Sequence, residues 1–350
     1  MPSKNEFDEI NTELADIPFQ RIRNAGPAHS KAGLRNRKPA QTIQDSPLPL
    51  TSDGEDDSLE AALLTYNPSR HERVWILDSL SDFYDQQWFG DILRQVKGGK
   101  EASVYQCVAK TAIQAPFLAA KVYRPRRFRN LKKDHLYREG REYLDENGNA
   151  IRNHGMLHAI QKKTAWGKEL THTAWIEYEY RTLQILHQAG ADVPVPYTRG
   201  NNAILMSYIG GEDQPAPTLQ EVHLSRAEAR QVYHRALYNV ELMLDHNLIH
   251  GDLSAFNILY WQEQITLIDF PQVVDPDQNV NAYWIFERDI TRLCEYFSPY
   301  GIKSNAPRLA ASLWRNRGWR IEHPVDPAYL DADRPEDRRY WNHENSGAQH

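Results

Sequence analysis

Apolar residues in the first half of the chain fall into strand-like runs, whereas those in the second half recur at helical spacing. The runs predict three strands, from Trp88 to Val96, Ala102 to Val108 and Phe117 to Tyr123. A fourth buried strand is predicted from Ile204, and it ends at two glycines. A helix around Glu72 to Tyr84 is predicted before these strands, and another at residues 175–189.

A long helix is predicted after Ser225, because Ser225 and Glu228 have the spacing of a capping box. Its apolar positions recur every three or four residues. They are Val232, Ala236, Leu237, Val240, Met243 and Leu244. Two further helices are predicted near residues 284–297 and 305–316. Because the strands come first and the helices later, we expect an α+β fold of two lobes.

Composition divides the chain into two tails and two lobes. Residues 1–65 mix Pro, Ser, Asn and charged residues without sustained periodicity, which predicts a disordered tail. We place the first lobe at residues 66–206, the second at 207–324, and a loose polar tail at 325–350. Residues 124–174 form an insert far longer than a strand-to-helix connection needs, and we expect it to be flexible.

The overall charge and the cysteine content exclude several classes of protein. At 350 residues and a net charge of -6, the chain has no global nucleic-acid signature. Only Cys107 and Cys294 occur, which argues against a disulfide framework and favours a reducing compartment. The first residues lack the apolar core of a signal peptide, and no apolar run is long enough to span a bilayer. We therefore expect a cytoplasmic protein that does not enter the membrane.

The strongest chemical signal lies between His250 and Asp269. His250-Gly251-Asp252 is followed by four residues and then Asn257, the spacing of the H-R-D-x-x-x-x-N loop of protein kinases. Phosphoryl transfer needs one carboxylate for the attacking hydroxyl, and an amide plus a second carboxylate for magnesium. Turn formers of a β-hairpin would explain part of this pattern, but not Asp269 directly after an apolar strand.

A lysine in the third strand fits the same chemistry. Ala119-Ala120-Lys121-Val122-Tyr123 is similar to the V-A-I-K strand, whose lysine holds the α- and β-phosphates of ATP. The helix downstream offers Glu177 and Glu179 as ion-pair partners for Lys121. A lysine in an apolar strand is otherwise a snorkelling residue. The segment before the second strand matches the kinase glycine-rich loop only at Gly99, so by itself it predicts no more than a hairpin turn.

Together these motifs resemble the RIO family of atypical serine/threonine protein kinases, nearest its first subfamily, over residues 88 to about 297. The resemblance favours Glu179 over Glu177 as the partner of Lys121. It implies ATP as the nucleotide and Mg²⁺, or Mn²⁺ in its place, as the metal. It assigns the phosphate loop to Gly99, Lys100, Glu101, Ala102, Ser103 and Val104, and the adenine-binding hinge to Met206, Ser207, Tyr208 and Ile209. It makes Asp252 the catalytic residue, and Asn257 and Asp269 the metal ligands.

The chain departs from ordinary protein kinases after Asp269. Asp269-Phe270-Pro271 stands in place of D-F-G, and the stretch up to Glu287 contains no A-P-E sequence. That stretch is too short for an activation segment, which the RIO family also lacks. We therefore expect a two-lobed protein-kinase-like fold of the RIO type, without an activation segment or peptide-binding platform. The protein substrate and its docking are left open.

The part of the insert at residues 124–142 is locally basic in an acidic protein. Aromatic Phe128, Tyr137 and Tyr143 among the charges would suit RNA or a ribosomal particle. A solvated surface loop that binds nothing would have the same composition. The basic residues are Arg124, Arg126, Arg127, Arg129, Lys132, Lys133, Arg138 and Arg141.

Three functional classes follow from these motifs. The first is an ATP- and magnesium-dependent serine/threonine kinase that phosphorylates itself or another protein. The second, implied by the family resemblance, is an ATPase switch on a ribosomal precursor that forms an aspartyl phosphate. The third is a small-molecule phosphotransferase, because aminoglycoside and choline kinases share H-G-D-x-x-x-x-N and I-D-F. The phosphate loop, the hinge and the basic insert argue against this third class.

Overall fold

An antiparallel five-stranded sheet with helices packed on both faces forms the first lobe. The computed structural model describes residue 59 and residues 64–99, 101–110, 113–124 and 141–321. The helices are α1 (Arg70–Asp85), α2 (His154–Gln161), α3 (Ala165–Gln188), α4 (Arg226–Asp245), α5 (Ala282–Phe297) and α6 (Ala306–Arg315). The strands are β1 (Phe89–Gly98), β2 (Ala102–Ala109), β3 (Phe117–Tyr123), β4 (Pro196–Arg199), β5 (Ala203–Ser207), β6 (Ile258–Trp261) and β7 (Gln264–Leu267).

The central strand β3 presents its side chains alternately to the two faces of the sheet, whose strand order is β1-β2-β3-β5-β4. Leu118, Ala120 and Val122 pack in a core with α1. Ala119 packs in a separate core with α3. Because strand side chains have a period of two, Lys121 lies on the same face as Ala119, toward α3.

The strands predicted from the apolar pattern are all present, and β3 has the predicted bounds. No apolar pattern predicted β4, which is four residues long and begins at Pro196. Strand β4 lies at the edge of the sheet. Proline is tolerated at the first residue of an edge strand because no neighbour there needs its missing N–H.

The predicted start of the helix at residues 175–189 is wrong. Helix α3 begins at Ala165 rather than at residue 175, and α2 lies within the stretch predicted to be flexible. Gly167 weakens the helical signal of this region, but tertiary packing requires it. A Cβ at Gly167 would lie 1.9 Å from the carbonyl oxygen of Ala159 in α2, so only glycine allows the two helices to cross this closely.

The N-terminal tail was predicted to be disordered through residue 65, and two residues near its end contact the first lobe. The Leu59 side chain is fully buried in the core beneath α1. The Thr65 hydroxyl donates a hydrogen bond to Asp91 Oδ2 at 2.6 Å. The rest of that tail up to residue 58, residues 125–140 of the basic insert and the predicted tail at 325–350 lie outside the described residues.

Helices dominate the second lobe, where α4, α5 and α6 share a core with the β6–β7 hairpin. The predicted capping box of α4 is formed, because Ser225 Oγ accepts from the Glu228 N–H and Glu228 accepts from the Ser225 N–H. Leu183 and Leu186 of α3 also pack in this core. Helix α3 therefore packs against the cores of both lobes. Within the described ranges, no helix is long and apolar enough to cross a membrane.

The connection between β7 and α5 is short and closely packed. Val274 forms an isolated β-bridge with Ile249, which precedes the His250 motif. Helix α5 then begins at Ala282. The predicted two-lobed α+β fold without an activation segment is confirmed.

Candidate active site

Lys121 connects the two lobes through two ion pairs. Its ammonium lies 2.6 Å from Glu179 Oε1 on α3 and 2.7 Å from Asp269 Oδ1, which follows β7 in the second lobe. Lys121 is buried, so each pair is shielded from water on the lysine side. The predicted partner Glu179 is the one that the fold brings to Lys121.

Helix geometry explains why Glu179 and not Glu177 reaches the lysine. Two residues along an α-helix differ by about 200° in direction, so the two carboxylates point to nearly opposite sides of α3. Glu179 is 1% exposed, and its second oxygen accepts a hydrogen bond from the Tyr123 hydroxyl at 2.7 Å. Glu177 instead pairs with Arg199 of β4, and burial raises its pKa.

The charges of this cluster stabilise each other. Burial alone would lower the pKa of Lys121, but the carboxylates of Asp269 and Glu179 raise it above the usual lysine value. Burial alone would raise the pKa of Asp269, but the charge and hydrogen bond of Lys121 hold it below the usual range. Lys121 and Asp269 are therefore both ionised near neutral pH, as a phosphate-binding lysine and a metal-binding carboxylate require.

The backbone at Asp269 aims its carboxylate toward the space between the lobes. Asp269 has a left-handed conformation with φ 73°, which short polar residues tolerate better than others. The next residue, Phe270, is fully buried and packs against the His250 ring at 4.9 Å between centroids. Ile268 donates its N–H to the Asn257 carbonyl at 2.9 Å, so the Asp269 strand end and the Asn257 loop are fastened together.

His250 holds the loop that precedes Asp252. Its Nδ1 accepts from the Asp252 N–H at 3.3 Å, which leaves Nε2 as the protonated nitrogen, and Nε2 donates to the Ile268 carbonyl at 3.2 Å. The imidazole thus bridges the Asp252 loop and the strand end before Asp269. Its role in this fold is structural, because both nitrogens are used within the protein.

Gly251 replaces the arginine of H-R-D for a reason visible in the backbone. It has φ 80°, and a Cβ there would lie 2.1 Å from the Gln272 carbonyl oxygen. Its N–H donates to Asp289 Oδ2 at 2.8 Å, and its carbonyl accepts from the buried Arg288. Burial raises the pKa of Asp289, although Arg288 beside it opposes the change. Glycine is therefore required both by conformation and by the close approach of the next loop.

Asp252 and Asn257 lie side by side in the loop, as their spacing predicted. Asn257 Nδ2 donates to the Asp252 carbonyl at 2.9 Å and to Asp252 Oδ2 at 3.1 Å. The other carboxylate oxygen, Oδ1, contacts Arg292 Nη1 at 2.9 Å. With 42% of its side chain exposed, Asp252 is accessible to an incoming hydroxyl group.

The predicted phosphate loop is brought to Lys121 by the pairing of β2 with β3, in which Val104 lies opposite Lys121. Gly99 donates its N–H to the Ala102 carbonyl at 2.9 Å, which closes the turn. The Glu101 carbonyl accepts from the Arg124 N–H, and Ser103 Oγ accepts from Gln95. Lys100, the remaining predicted member of the loop, lies outside the described residues.

The predicted hinge connects β5 to the second lobe. Ser207 exchanges hydrogen bonds with Val195, while Met206 and Tyr208 belong to the core that contains Ala119. Ile209 accepts from the Ala216 N–H at 3.0 Å. Strand β5, which leads into the hinge, pairs with β3 so that Ile204 lies opposite Lys121.

Several contacts around the site were missed from the sequence. Arg292, Arg288 and Asp289 all hold the Asp252 loop, and Arg141 donates to the Pro271 carbonyl after Asp269. An apolar helix pattern is interrupted by the charged residues Arg288, Asp289 and Arg292. This interruption could have identified them as candidate functional residues. Arg141 gave none, because it is one of many basic residues in the insert.

The family model for the RIO domain matches residues 103–309, which is more than half of the chain and includes every part of the site just described except Gly99 to Ala102. The chain belongs to the RIO domain family.

Curated RIO proteins are similar to a shorter segment. The RIO-type serine/threonine-protein kinase Rio1 of Thermoplasma acidophilum is 30% identical over 135 residues, which is 39% of this chain and 69% of that protein. Human serine/threonine-protein kinase RIO1 is 33% identical over 129 residues, or 37% of this chain and 22% of that protein. Human serine/threonine-protein kinase RIO3 is 32% identical over 130 residues and 25% of its length. RIO1 and RIO3 relatives match equally well, so assignment to the first RIO subfamily stays a prediction.

Among solved structures, the Rio2 kinase–ADP/Mg²⁺–phosphoaspartate complex of Chaetomium thermophilum has a TM-score of 0.45 and 20% sequence identity. The match covers 69% of this chain and 66% of that chain.

Proposed function

We propose that this chain is an ATP- and Mg²⁺-dependent serine/threonine protein kinase of the RIO type. The observation that best supports the proposal is the position of Lys121, which is paired at once with Glu179 of the first lobe and Asp269 of the second. This arrangement orients a lysine toward the phosphates of a nucleotide held between two lobes. The names of the curated relatives support serine and threonine as acceptors.

The residues near Lys121 fit a magnesium site. The Asp269 carboxylate is 40% exposed, and Asn257 has its amide nitrogen bonded to Asp252, so its oxygen remains to bind a cation. Mg²⁺ prefers such oxygen ligands and takes the rest from phosphates and water. Within the described ranges no group of three or more acidic, histidine or cysteine side chains could hold a metal alone. A metal held by Asp269 and Asn257 would take its remaining ligands from the nucleotide and would neutralise charge on the phosphates.

The protein groups then have separate tasks. Lys121 contacts the phosphates, and Glu179 keeps the lysine charged and oriented. Asp252 accepts the proton of the attacking hydroxyl, since it is exposed and held by the loop in one orientation. Most of the rate acceleration comes from positioning and charge stabilisation, because phosphoryl transfer demands little covalent chemistry from the protein.

Two other functions considered from the sequence are not favoured. Membership of the RIO domain family supports a protein kinase over a small-molecule phosphotransferase. The ATPase cycle through an aspartyl phosphate at Asp269 stays a prediction. Contact with RNA or a ribosomal particle also stays a prediction, because residues 125–140 lie outside the described part. A cytoplasmic location is supported by Cys107 and Cys294, both of which are buried free thiols.

The proposal is tested by Asp252→Asn, with Asp277→Asn as the matched control. The first substitution removes the proton acceptor, and we expect turnover with a general protein substrate to fall by about 10²- to 10⁴-fold. Nucleotide binding should change little, because among the described residues the Asp252 carboxylate contacts only Asn257 and Arg292. Asp277 is an exposed carboxylate bonded to Asn247 and Trp319, outside the site, and its variant should retain wild-type turnover.

Turnover is measured as phosphate transfer from labelled ATP, and nucleotide affinity by calorimetry. Retention of most of the activity in Asp252→Asn would reject the catalytic assignment. Absence of any phosphate transfer or ATP hydrolysis in the wild-type protein would reject the proposed function itself.

A further inference from the structure

One face of α5 holds the loop that contains Asp252. Arg288, Asp289 and Arg292 occupy positions i, i+1 and i+4, so they lie within about 100° of one another around the helix axis. Arg288 and Asp289 bind the backbone on both sides of Gly251 and are themselves buried. Arg292 is different, because it contacts a side chain, that of Asp252.

The Asp252 carboxylate is held from two directions. Asn257 donates to Oδ2 at 3.1 Å from within the loop, and Arg292 contacts Oδ1 at 2.9 Å from the helix. Rotation of a carboxylate about its terminal bond is soft when only one oxygen is bonded. A second bond to the other oxygen fixes the plane of the carboxylate, and a guanidinium makes that bond charge-assisted.

We propose that Arg292 is a positioning residue that sets the orientation of the Asp252 carboxylate for proton acceptance. This inference rests on the proposed kinase function. The loop backbone is already fastened by Arg288 and Asp289, so removal of Arg292 leaves the loop in place. What is lost is the direction in which Asp252 presents its free lone pairs to the acceptor hydroxyl. Since productive geometry depends on displacements of less than about 1 Å, the effect falls on the rate rather than on folding.

Exposure supports a role beyond stability. The Arg292 side chain is 20% exposed and that of Asp252 is 42% exposed, so solvent and an incoming hydroxyl group can reach the pair. An ion pair this accessible contributes about 0–1 kcal/mol to stability. We therefore expect a loss of activity on removing Arg292 without a comparable loss of folded protein.

The experiment compares Arg292→Ala, Arg292→Lys and the control Arg308→Ala, each in the full chain, with and without Asp252→Asn. Arg308 is an exposed arginine of α6 whose recorded contact, from its backbone N–H to Asn305, does not involve the guanidinium. We expect Arg292→Ala to lower kcat by about 10- to 100-fold, the scale of a misplaced catalytic group. Nucleotide Kd and Tm should match the wild type. Arg292→Lys, which keeps the charge, should recover part of the loss, and Arg308→Ala should behave as wild type.

The double variant decides whether Arg292 acts through Asp252. In an Asp252→Asn background, Arg292→Ala should cause no further loss of turnover, since the group it positions is already gone. Additive losses would overturn the inference, as would an Arg292→Ala variant with wild-type kcat or one whose loss of activity follows a loss of folded protein. If the wild type itself has no turnover, the proposed function and this inference both fail. If the wild type is active and Arg292→Ala is equally active, the inference alone fails.

Discussion

Replacing Glu179 by glutamine tests whether Lys121 depends on the charge of its buried partner. The glutamine oxygen can still accept from Lys121, and its amide can donate to the Tyr123 hydroxyl, so the geometry of both contacts survives. What disappears is the negative charge opposite a buried ammonium. Asp269 remains at 2.7 Å, which prevents Lys121 from being left without a counter-ion.

The expected magnitude follows from these contacts. A hydrogen bond to a charged group contributes about 1.5–3 kcal/mol and a neutral one about 0.5–1.5 kcal/mol, so the substitution should cost about 1–2 kcal/mol. That is a factor of about 5–30 in an equilibrium constant. Complete removal of a buried partner would cost about 3–5 kcal/mol, so Glu179→Ala should be clearly worse than Glu179→Gln.

Glu177→Gln is the matched control, because Glu177 is a buried glutamate on the same helix that pairs with Arg199 instead of Lys121. We expect both glutamine variants to lower Tm, whereas only Glu179→Gln should lower kcat/KM for ATP per folded molecule. Steady-state kinetics corrected by the folded fraction from thermal unfolding separate the two effects. Equal losses of kcat/KM in both variants, or wild-type kinetics in Glu179→Gln, would refute the assignment of Glu179.

Two further substitutions follow from the backbone and the charges of the site. Gly251→Ala should be severely destabilising and abolish turnover, because the new Cβ would meet the Gln272 carbonyl. Gly301 has a similar positive φ, but a Cβ there would have nothing within 4 Å. Gly301→Ala should therefore lower the stability measured by thermal unfolding by about 1–2 kcal/mol and leave kcat and KM unchanged. Because the pKa of Asp269 is lower in the folded state, the ionised carboxylate stabilises the fold. This contribution to the free energy of unfolding is complete above the ordinary carboxyl pKa, and it is lost as the pH falls through the folded-state pKa. Urea unfolding between about pH 6 and about pH 3 should therefore show a smaller loss of stability for Asp269→Asn than for the wild type, and equal losses would contradict the ion pair.

Patterns of neighbouring residues predicted the strands and helices whose limits depend on contacts close in sequence. Strand β3 has its predicted bounds because an apolar run ends at charged residues, and α4 begins at its capping box because both partners lie three residues apart. The start of α3 could not be predicted in the same way. Gly167 lowers the helical propensity there, and the reason for the helix, close packing on Ala159 of α2, is a tertiary contact.

The same distinction applies to the candidate site. Lys121, Asp252, Asn257 and Asp269 could be predicted because each belongs to a motif of fixed spacing. Arg292 contacts Asp252 across 40 positions of sequence, and Arg141 reaches Pro271 across 130. These contacts form because α5 and the insert pack against the segments of Asp252 and Pro271. Tertiary packing of this kind cannot be predicted from the spacing of residues along the sequence.

The residues after Asp269 are fixed from several sides, and this limits how the enzyme can be controlled. Phe270 is buried, the Pro271 and Val273 carbonyls accept from Arg141, and Val274 is bridged to Ile249. A segment held in this way cannot swing in and out of the site, which is how many protein kinases are switched by phosphorylation. Arg141 also lies over the Tyr178 ring at 3.9 Å, next to Glu179 on α3. Because one guanidinium thus contacts both the segment after Asp269 and the helix of Glu179, displacement of Arg141 would disturb both partners of Lys121 together. Arg141, a residue of the insert, therefore links the segment after Asp269 to the helix that carries Glu179.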